Sequence, residues 1–342
     1  MIRIGVVGYG YWGPNLVRNF GETNGASVVA VADLDRSKLA SLARRYPAIK
    51  LTTDFTELLS DPNIDAIAVA TPVHTHYELG LAALRAGKHL WMEKPMTQTV
   101  AQAKRLVDEA ARRRLTLLVD HTFIYTGAVA KMDELIKSGD LGCILYYDSV
   151  RVNLGLFQRD VGVISDLAVH DFSILDFLLD EKPVAVTASG TNHFPGTPEN
   201  LAYVTLYYDS GKMAHVNVSW LAPVKVRRIM VGGSKKMIAY DDLEPSEKVK
   251  VYDKGVDFTD DPTQIREMRI GYRTGDMCAP KLAVAEALST EGEHFVDCIE
   301  HGLLPITDGQ LGLRVVRLIE AANDSMRRRG EMVHIEPAEA LA

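Results

Sequence analysis

The chain has 342 residues, of which 47% are hydrophobic and 24% charged, and its formal net charge is −7 at pH 7. This profile indicates a soluble globular protein of two domains, and the negative charge disfavours a nucleic-acid partner. No apolar run is as long as the roughly 20 residues that a membrane-spanning helix needs. The N-terminal residues do not resemble a signal peptide. Three widely spaced cysteines without a CxxC pair predict reduced thiols and a cytoplasmic protein; they are Cys143, Cys278 and Cys298.

Residues 1–122 alternate between strand-like and helix-like segments. The strand-like runs are IRIGVVG, ASVVAVAD, IDAIAVAT, HLWMEK and LTLLVDHT, and segments with helical spacing separate them. Because these strands are apolar throughout, we expect a parallel sheet that helices cover on both faces. The pattern predicts an α/β domain over residues 1–122.

The pattern changes after residue 122. A helix (AVAKMDELIKSG), a long strand (ILYYDSVRV) and a second helix (SDLAVHDFSILDFLL) precede a series of alternating runs separated by turn residues. Two helices near 282–301 and 308–329 and a short strand (MVHI) close the chain. The sequence therefore predicts a second domain over residues 123–342, of α+β type, with a mostly antiparallel sheet.

A glycine fingerprint follows the first strand. Gly8, Gly10 and Gly13 have the spacing GxGxxG, and Asp33 ends the next strand 20 residues later. Glycines in this pattern let backbone N–H groups approach a pyrophosphate at a helix N-terminus, and the acid accepts hydrogen bonds from the adenine ribose. The motif predicts dinucleotide binding, and Asp33 favours NAD over NADP because it would repel a 2′-phosphate. Nearby Arg36 weakens that preference unless it is a solvated residue at a helix start.

The segment ATPVHTH follows the third apolar strand. Thr71 and Pro72 lie at the strand end where a cofactor is expected. His74 and His76 lack a nearby carboxylate or cysteine that would complete a metal site, so we predict no metal and assign them to the cofactor site or to a helix start.

Two further segments carry candidate chemistry. Glu93, Lys94 and Pro95 end a strand at the rim where ligands of parallel sheets bind, although such a pair is also typical of a solvated turn. Asp166 and His170 have i, i+4 spacing on a predicted helix, so a carboxylate can orient an imidazole that takes a proton near neutral pH. The alternative is an acid in a first helical turn and a packed histidine.

The order and spacing of the glycine fingerprint, ATPVHTH, EKP and SDLAVHD closely resemble the Gfo/Idh/MocA oxidoreductase family, over residues 1 to about 336. The resemblance implies an N-terminal Rossmann domain, a C-terminal domain with an open, mostly antiparallel sheet, and a homodimer or homotetramer formed through that sheet. It implies a cis Lys94-Pro95 bond and catalysis by Lys94, Asp166 and His170. It also implies that the cofactor-binding residues are Gly8, Gly10, Tyr11, Trp12, Gly13, Asp33, Thr71, Pro72, His74, His76, Glu93, Lys94 and His121.

Within the family, the segments GYGYWGPNLVRNF, VRVNLGLFQRDVGVISDLAVHD and GYRTGDMCAPKL resemble enzymes that oxidise the 3-hydroxyl of UDP-N-acetylglucosamine or its uronic acid. A diphosphate-bearing substrate needs basic and polar groups, although each candidate is also explained as a surface residue. The expected substrate-binding residues are Lys94, Tyr125, Arg151, Asn153, Arg159, Asp166, His170, Tyr272 and Arg273, with Lys281 as a further candidate.

Two alternatives stay open. One is another carbohydrate oxidoreductase of the family, acting on inositol, a free sugar or a nucleotide-linked deoxysugar 3-ketone. The other is a non-enzymatic NAD-sensing or scaffolding protein, which the presence of Lys94, Asp166 and His170 disfavours.

Overall fold

The computed structural model describes residues 1–155, 157, 161–257 and 271–336. The chain divides into two compact units. The first unit comprises residues 1–126 and 285–320, and the second comprises residues 127–284 and 321–342. Within the described ranges, no helix is both long and apolar enough to cross a membrane.

The first unit contains a six-stranded parallel sheet of order β3-β2-β1-β4-β5-β6. This is the strand order of dinucleotide-binding Rossmann folds, whose ligands lie beyond the carboxyl ends of the strands. The strands are β1 (Ile2–Val7), β2 (Ala26–Ala32), β3 (Lys50–Thr52), β4 (Ala66–Val69), β5 (His89–Glu93) and β6 (Leu117–Asp120). The helices between them are α1 (Gly13–Glu22), α2 (Arg36–Arg45), α3 (Phe55–Ser60), α4 (Val73–Arg85) and α5 (Val100–Arg113). The predicted Rossmann domain is confirmed.

Short polar side chains start several of these helices. Asp35, Asp54 and Thr99 are the N-cap residues of α2, α3 and α5, and each side chain accepts a hydrogen bond from a backbone N–H of the first turn. Such caps satisfy donors that have no partner inside the helix. Strand β3 and helix α3 were not predicted, because a three-residue strand and a six-residue helix are too short to show a period.

Trp91 fixes β5 in the core of the first unit. Its ring makes edge contacts with Phe20 of α1, at 5.0 Å, and with Phe295, at 5.5 Å. Phe295 belongs to α8 (Ala287–His301), which follows the second unit in the chain. The division at residue 122 is therefore corrected: residues 285–320 belong to the first unit because their apolar side chains complete its core. The first unit also contains the 3-10 turn Thr122–Tyr125.

The second unit contains a nine-stranded sheet of order β16-β13-β12-β11-β7-β10-β9-β8-β17. Among the described strands of this second sheet, only the β7–β10 pair is parallel, so the predicted mostly antiparallel sheet is confirmed. The strands are β7 (Ile144–Leu154), β8 (Ala185–Thr191), β9 (Leu201–Tyr207), β10 (Met213–Ser219), β11 (Leu221–Gly233), β12 (Met237–Asp241), β13 (Val249–Tyr252), β16 (Met277–Cys278) and β17 (Val333–His334). A separate pair consists of β14 (Gly255–Asp257) and β15 (Gly271–Arg273).

The helices of this unit include α6 (Gly127–Lys137) and α7 (Val169–Leu178), and α9 (Gly309–Arg327) begins in the first unit and ends in the second. A π-helical turn, Ile164–Ala168, precedes α7. The sequence predicted one continuous α-helix here, because hydrophobic spacing does not reveal a local change of hydrogen-bond register. Cys143, Cys278 and Cys298 are free thiols.

Candidate active site

The loop that joins β1 to α1 has the shape of a phosphate-binding turn. Gly8 has φ +94°, and a Cβ atom at this position would lie 2.5 Å from the carbonyl oxygen of Ala70. A Cβ at Gly13 would lie 2.2 Å from the carbonyl oxygen of Gly8, whereas Gly10 has open space in front of it. The outer glycines therefore permit the turn, and the middle one lets a ligand approach the backbone.

Asp33 is joined to this loop. Its carboxylate accepts a hydrogen bond of 2.6 Å from the backbone N–H of Tyr9 and one of 2.8 Å from that of Asp35. Lys38 lies 3.8 Å from the same carboxylate. An open cavity of about 380 Å³ is lined by Arg36 and Leu39 of α2 and by Leu51, Thr52 and Thr53 at the end of β3. The glycine cradle and the placed acid fit the pyrophosphate and adenine ribose of a nicotinamide dinucleotide, NAD or NADP.

The two aromatic residues of the fingerprint have different environments. Tyr11 is 89% exposed. Trp12 is partly buried against the core, and its indole N–H donates a hydrogen bond of 2.8 Å to Asp120. The sequence assigned both residues to the cofactor site, and Trp12 has in addition a contact with the end of β6 that was not predicted.

The two histidines of ATPVHTH also differ. His74 is exposed on the first turn of α4, whereas His76 is 1% exposed. The Nε2 atom of His76 lies 2.8 Å from the carbonyl oxygen of Thr71, and its Nδ1 atom lies 3.0 Å from that of Pro95. Burial lowers the pKa of His76. His76 therefore joins two loops at the carboxyl edge and does not line an open surface, while Thr71 and Pro72 lie at the predicted strand end.

Lys94 follows the last residue of β5 and precedes a proline. The Lys94-Pro95 peptide bond is cis, as predicted. The backbone N–H of Lys94 donates a hydrogen bond of 3.0 Å to the carboxyl group of Glu93, and Lys94 itself is partly exposed. The turn thus places a lysine at the carboxyl edge of the sheet, the same edge as the glycine loop.

Three buried carboxyl groups lie behind this edge. Glu93 ends β5 and pairs in register with Asp120, which ends β6, and Glu291 comes from α8. Burial raises the pKa of Glu93 well above its usual range, and the charge of Asp120 raises it further. Burial, followed by the charges of Asp120 and Glu93, does the same for Glu291. Asp120 and Glu291 were not predicted as site residues. The sequence did contain a signal for Asp120: strand β6 (LLVD) ends in an acidic residue, as the neighbouring strand β5 (HLWME) does.

In the second unit, Asp166 lies in the π-helical turn and His170 in the first turn of α7. The indole N–H of buried Trp220 donates a hydrogen bond of 3.0 Å to Asp166. Trp220 contacts the ring of Phe157 edge-on at 5.7 Å. A π-turn is frequent at functional sites, where it re-aims a side chain. Trp220 was missed because nothing in its own segment, NVSWL, marks it as a partner of Asp166.

Arg151 has a different environment from the one expected of a substrate-binding residue. It is 4% exposed, and its Nε donates a hydrogen bond of 2.7 Å to Asp171, the residue after His170. The hydroxyl of Ser149 donates to the same carboxylate at 2.6 Å. This buried ion pair joins β7 to α7, so Arg151 is a packing residue of the second unit and is left out of the substrate proposal below.

The remaining predicted site residues differ in how far they are exposed to solvent. Tyr125 is buried, its hydroxyl lies 3.1 Å from that of Thr307, and burial raises its pKa. His121 is also buried, Asn153 is partly exposed, and Lys281 is exposed. Arg159 lies outside the described residues, and of Tyr272 and Arg273 only the backbone, in strand β15, is described.

Two family models match successive parts of the chain. A model of the oxidoreductase family, NAD-binding Rossmann fold, matches residues 2–121, and a model of the GFO/IDH/MocA C-terminal domain matches residues 129–239. The chain is 27% identical to myo-inositol 2-dehydrogenase of Thermotoga maritima, with 74% of this chain and 79% of that protein covered. It is 25% identical to scyllo-inositol 2-dehydrogenase (NAD(+)) of Bacillus subtilis, with 92% and 90% covered.

Among solved structures, UDP-N-acetylglucosamine 3-dehydrogenase GnnA of Acidithiobacillus ferrooxidans has the same fold. Its TM-score is 0.79 at 23% identity, and 96% of this chain and 98% of that chain are covered.

Proposed function

Since the chain belongs to the Gfo/Idh/MocA oxidoreductase family, we propose that it is an NAD-dependent dehydrogenase that oxidises a secondary hydroxyl on a sugar or cyclitol ring. The observation that carries this proposal is the position of Lys94. It is a partly exposed cation at the carboxyl edge of a dinucleotide-binding sheet, and neighbouring groups hold its backbone on both sides. A cation in such a place stabilises an oxygen that gains negative charge as a hydride leaves the adjacent carbon.

In the proposed reaction, Lys94 donates a hydrogen bond to the substrate oxygen, and His170 accepts the proton of the hydroxyl group. Imidazole is suited to this role because its ordinary pKa lies near neutral pH. Asp166, held by Trp220, orients the proton acceptor. Bound NAD supplies the hydride acceptor.

The preference for NAD rests on Asp33. Its carboxylate is fixed by two backbone N–H groups at the end of β2, where the adenine ribose of a Rossmann cofactor lies. A fixed negative charge at this place accepts hydrogen bonds from ribose hydroxyls and repels a 2′-phosphate. Lys38 offsets part of that repulsion, because it lies 3.8 Å from the carboxylate.

Two substrate classes are candidates. The similarity to two inositol dehydrogenases along most of the chain favours a cyclitol. Three segments, residues 8–20, 150–171 and 271–282, resemble nucleotide-sugar dehydrogenases. This resemblance, and the fold shared with a UDP-N-acetylglucosamine 3-dehydrogenase, favour a UDP-linked amino sugar. The burial of Arg151 removes one cation from the diphosphate site that the second candidate requires.

The test is NADH formation from NAD with a panel of purified substrates. The panel contains myo- and scyllo-inositol, free aldoses, UDP-N-acetylglucosamine and its uronic acid, each also tested with NADP. Turnover of an inositol supports the first class, and turnover of a UDP-sugar supports the second. Lack of NADH formation with every ring alcohol, by a protein shown to bind NADH, contradicts the proposal.

We further propose that the chain forms a homo-oligomer through the open face of the nine-stranded sheet. This face is defined by alternate residues of β7, β9, β10 and β11, and it exposes Tyr146, Tyr203, Met213 and Met230. Met213 and Tyr146 are cross-strand neighbours, and Met230 and Tyr203 lie beside Asp148 and Asn217 on the neighbouring strands. Large exposed apolar side chains that polar residues flank are typical of a subunit interface.

A further inference from the structure

Asp120 connects two parts of the first unit that the proposed reaction needs. It is the last residue of β6 and is 2% exposed. One carboxylate oxygen accepts the hydrogen bond of 2.8 Å from the Trp12 indole, and the other accepts a short hydrogen bond from the hydroxyl of Thr122. Two donors fit a carboxylate, which accepts hydrogen bonds at both oxygens when it is ionised.

Trp12 places this contact inside the phosphate-binding loop. It is the residue before Gly13 and the N-cap of α1, and its side chain makes no capping hydrogen bond. Its carbonyl oxygen accepts hydrogen bonds from the N–H groups of Asn15 and Leu16, in the first turn of α1. The backbone of Trp12 thus belongs to the helix start that faces the pyrophosphate, while its indole is bonded to the end of the sheet. A shift of the indole therefore moves the loop.

On its other side, Asp120 adjoins the turn that carries Lys94. It is the in-register neighbour of Glu93, and the carboxyl group of Glu93 accepts the N–H of Lys94. The charged groups that act on Glu93 are Asp120 on β6 and Lys94 on the following turn. The charges of Asp120 and Glu93 in turn act on Glu291 of α8. The charge of Asp120 raises the pKa of Glu93, so a change at Asp120 alters the group that holds the backbone of Lys94.

We infer that Asp120 is a positioning residue that fixes the cofactor loop through Trp12 and the Lys94 turn through Glu93. The first half of this inference concerns dinucleotide binding alone. The second half rests on the proposed function, because it assigns Lys94 to the reaction.

The first experiment measures NADH binding by fluorescence titration, without substrate, together with thermal unfolding. Trp12→Phe keeps an aromatic ring and removes the N–H donor, and Asp120→Asn keeps the shape and removes the charge. We expect each to weaken NADH binding about tenfold, as loss of a hydrogen bond to a charged group does. Glu22→Gln is the matched control, since it removes the charge of an exposed side chain at the far end of α1, and its NADH dissociation constant stays within about twofold of the wild-type value.

The double variant Trp12→Phe/Asp120→Asn tests whether the two residues act through their mutual contact. We expect it to bind NADH about as weakly as Asp120→Asn alone, because each single substitution already removes the hydrogen bond of the Trp12 indole to a charged acceptor. Multiplied losses mean that the two residues act separately and overturn the inference. The inference is also overturned if both single variants keep the wild-type NADH dissociation constant and show only lower melting temperatures. If Asp120→Asn does not fold, Trp12→Phe alone decides this half.

The second experiment uses a substrate found with the panel above. Trp12→Phe is expected to raise KM for NAD with little change in kcat. Asp120→Asn is expected also to lower kcat and to move the pH dependence of kcat to lower pH, because Glu93 then loses its proton at lower pH. An unchanged kcat and pH profile in Asp120→Asn overturns the second half. Failure of the proposed function is seen separately, as a wild-type protein that binds NADH but oxidises no ring alcohol.

Discussion

The Nδ1 atom of His76 lies 3.0 Å from the carbonyl oxygen of Pro95, the residue that follows Lys94. The other ring nitrogen lies 2.8 Å from the carbonyl oxygen of Thr71, at the end of β4. A neutral imidazole has one N–H group and donates to one of these two oxygens, whereas an imidazolium donates to both. Because burial lowers the pKa of His76, the histidine is neutral above its ordinary value of 6.5. Buried His76 thus contacts the backbone of the turn that carries Lys94 and helps to fix its position.

His76→Gln is predicted to lower the free energy of unfolding by about 1–3 kcal/mol, since a buried polar contact at the carboxyl edge is lost. Chemical denaturation at pH 7.5 measures this. His74→Gln, two residues away and exposed on the same helix, is the control and should change stability by less than about 0.5 kcal/mol. Equal effects of the two substitutions contradict the assignment of a supporting role to His76.

Glu291→Gln is predicted to raise the melting temperature at pH 8 and to leave it unchanged near pH 4.5. The folded-state pKa of Glu291 is raised above 4.5, so its favourable contribution is present below that pH and is lost as the pH rises through the raised value. Each pKa unit of that rise corresponds to a loss of about 1.4 kcal/mol in the free energy of unfolding once the carboxyl group is ionised. Glu293→Gln, exposed on the same helix, should show no such dependence on pH. A variant less stable than wild type at pH 8 argues against a charge cost at Glu291.

Asp33→Ser is predicted to reduce the preference for NAD over NADP at least tenfold, measured as the ratio of kcat/KM values. The substitution removes the charge that repels a 2′-phosphate, while Lys38 and Arg36 stay nearby. Asp35→Ser is the control, because it changes an exposed acid two residues away to another good N-cap residue. If the wild-type protein already prefers NADP, the interpretation of Asp33 is wrong.

Met230→Glu is predicted to shift the protein from oligomer to monomer, because it places a charge in the open face of the nine-stranded sheet. Sedimentation velocity at several protein concentrations measures the change. Leu243→Glu, an exposed apolar residue in the segment after β12, is the control and should leave the mass unchanged. A wild-type protein that is monomeric at every concentration contradicts the proposed interface.

The sequence was most informative where local patterns determine the structure. The glycine fingerprint, Asp33 and the turn at Lys94 are close in the chain to the strands that position them, so apolar runs and turn residues predicted their places. The mostly antiparallel sheet of the second unit was likewise predicted from alternation. The assignment of residues 285–320 to the first unit was not predicted, because it depends on the packing of Phe295 against Trp91, about 200 residues earlier.

Contacts distant in sequence also explain the errors in the candidate site. Arg151 resembled a substrate-binding cation until the structure showed it paired with Asp171. In the structure Tyr147, Ser149 and Arg151 are the buried alternate residues of β7, and the sequence did not reveal this because Val150 and Val152 lie on the opposite face. The carboxyl groups of Asp120 and Glu291 carry no motif of their own, since their roles follow from the end of a neighbouring strand and from a distant helix.

The most direct test of the central claim is the steady-state rate of NADH formation by Lys94→Met, measured with the substrate found for the wild-type protein. NADH binding is measured in parallel, with Lys104→Met, an exposed lysine of α5, as the control. We predict that kcat falls by about 10²–10³-fold, as loss of a group that stabilises a developing charge does, while the NADH dissociation constant changes little. Turnover by Lys94→Met at a rate close to that of wild type would contradict the account.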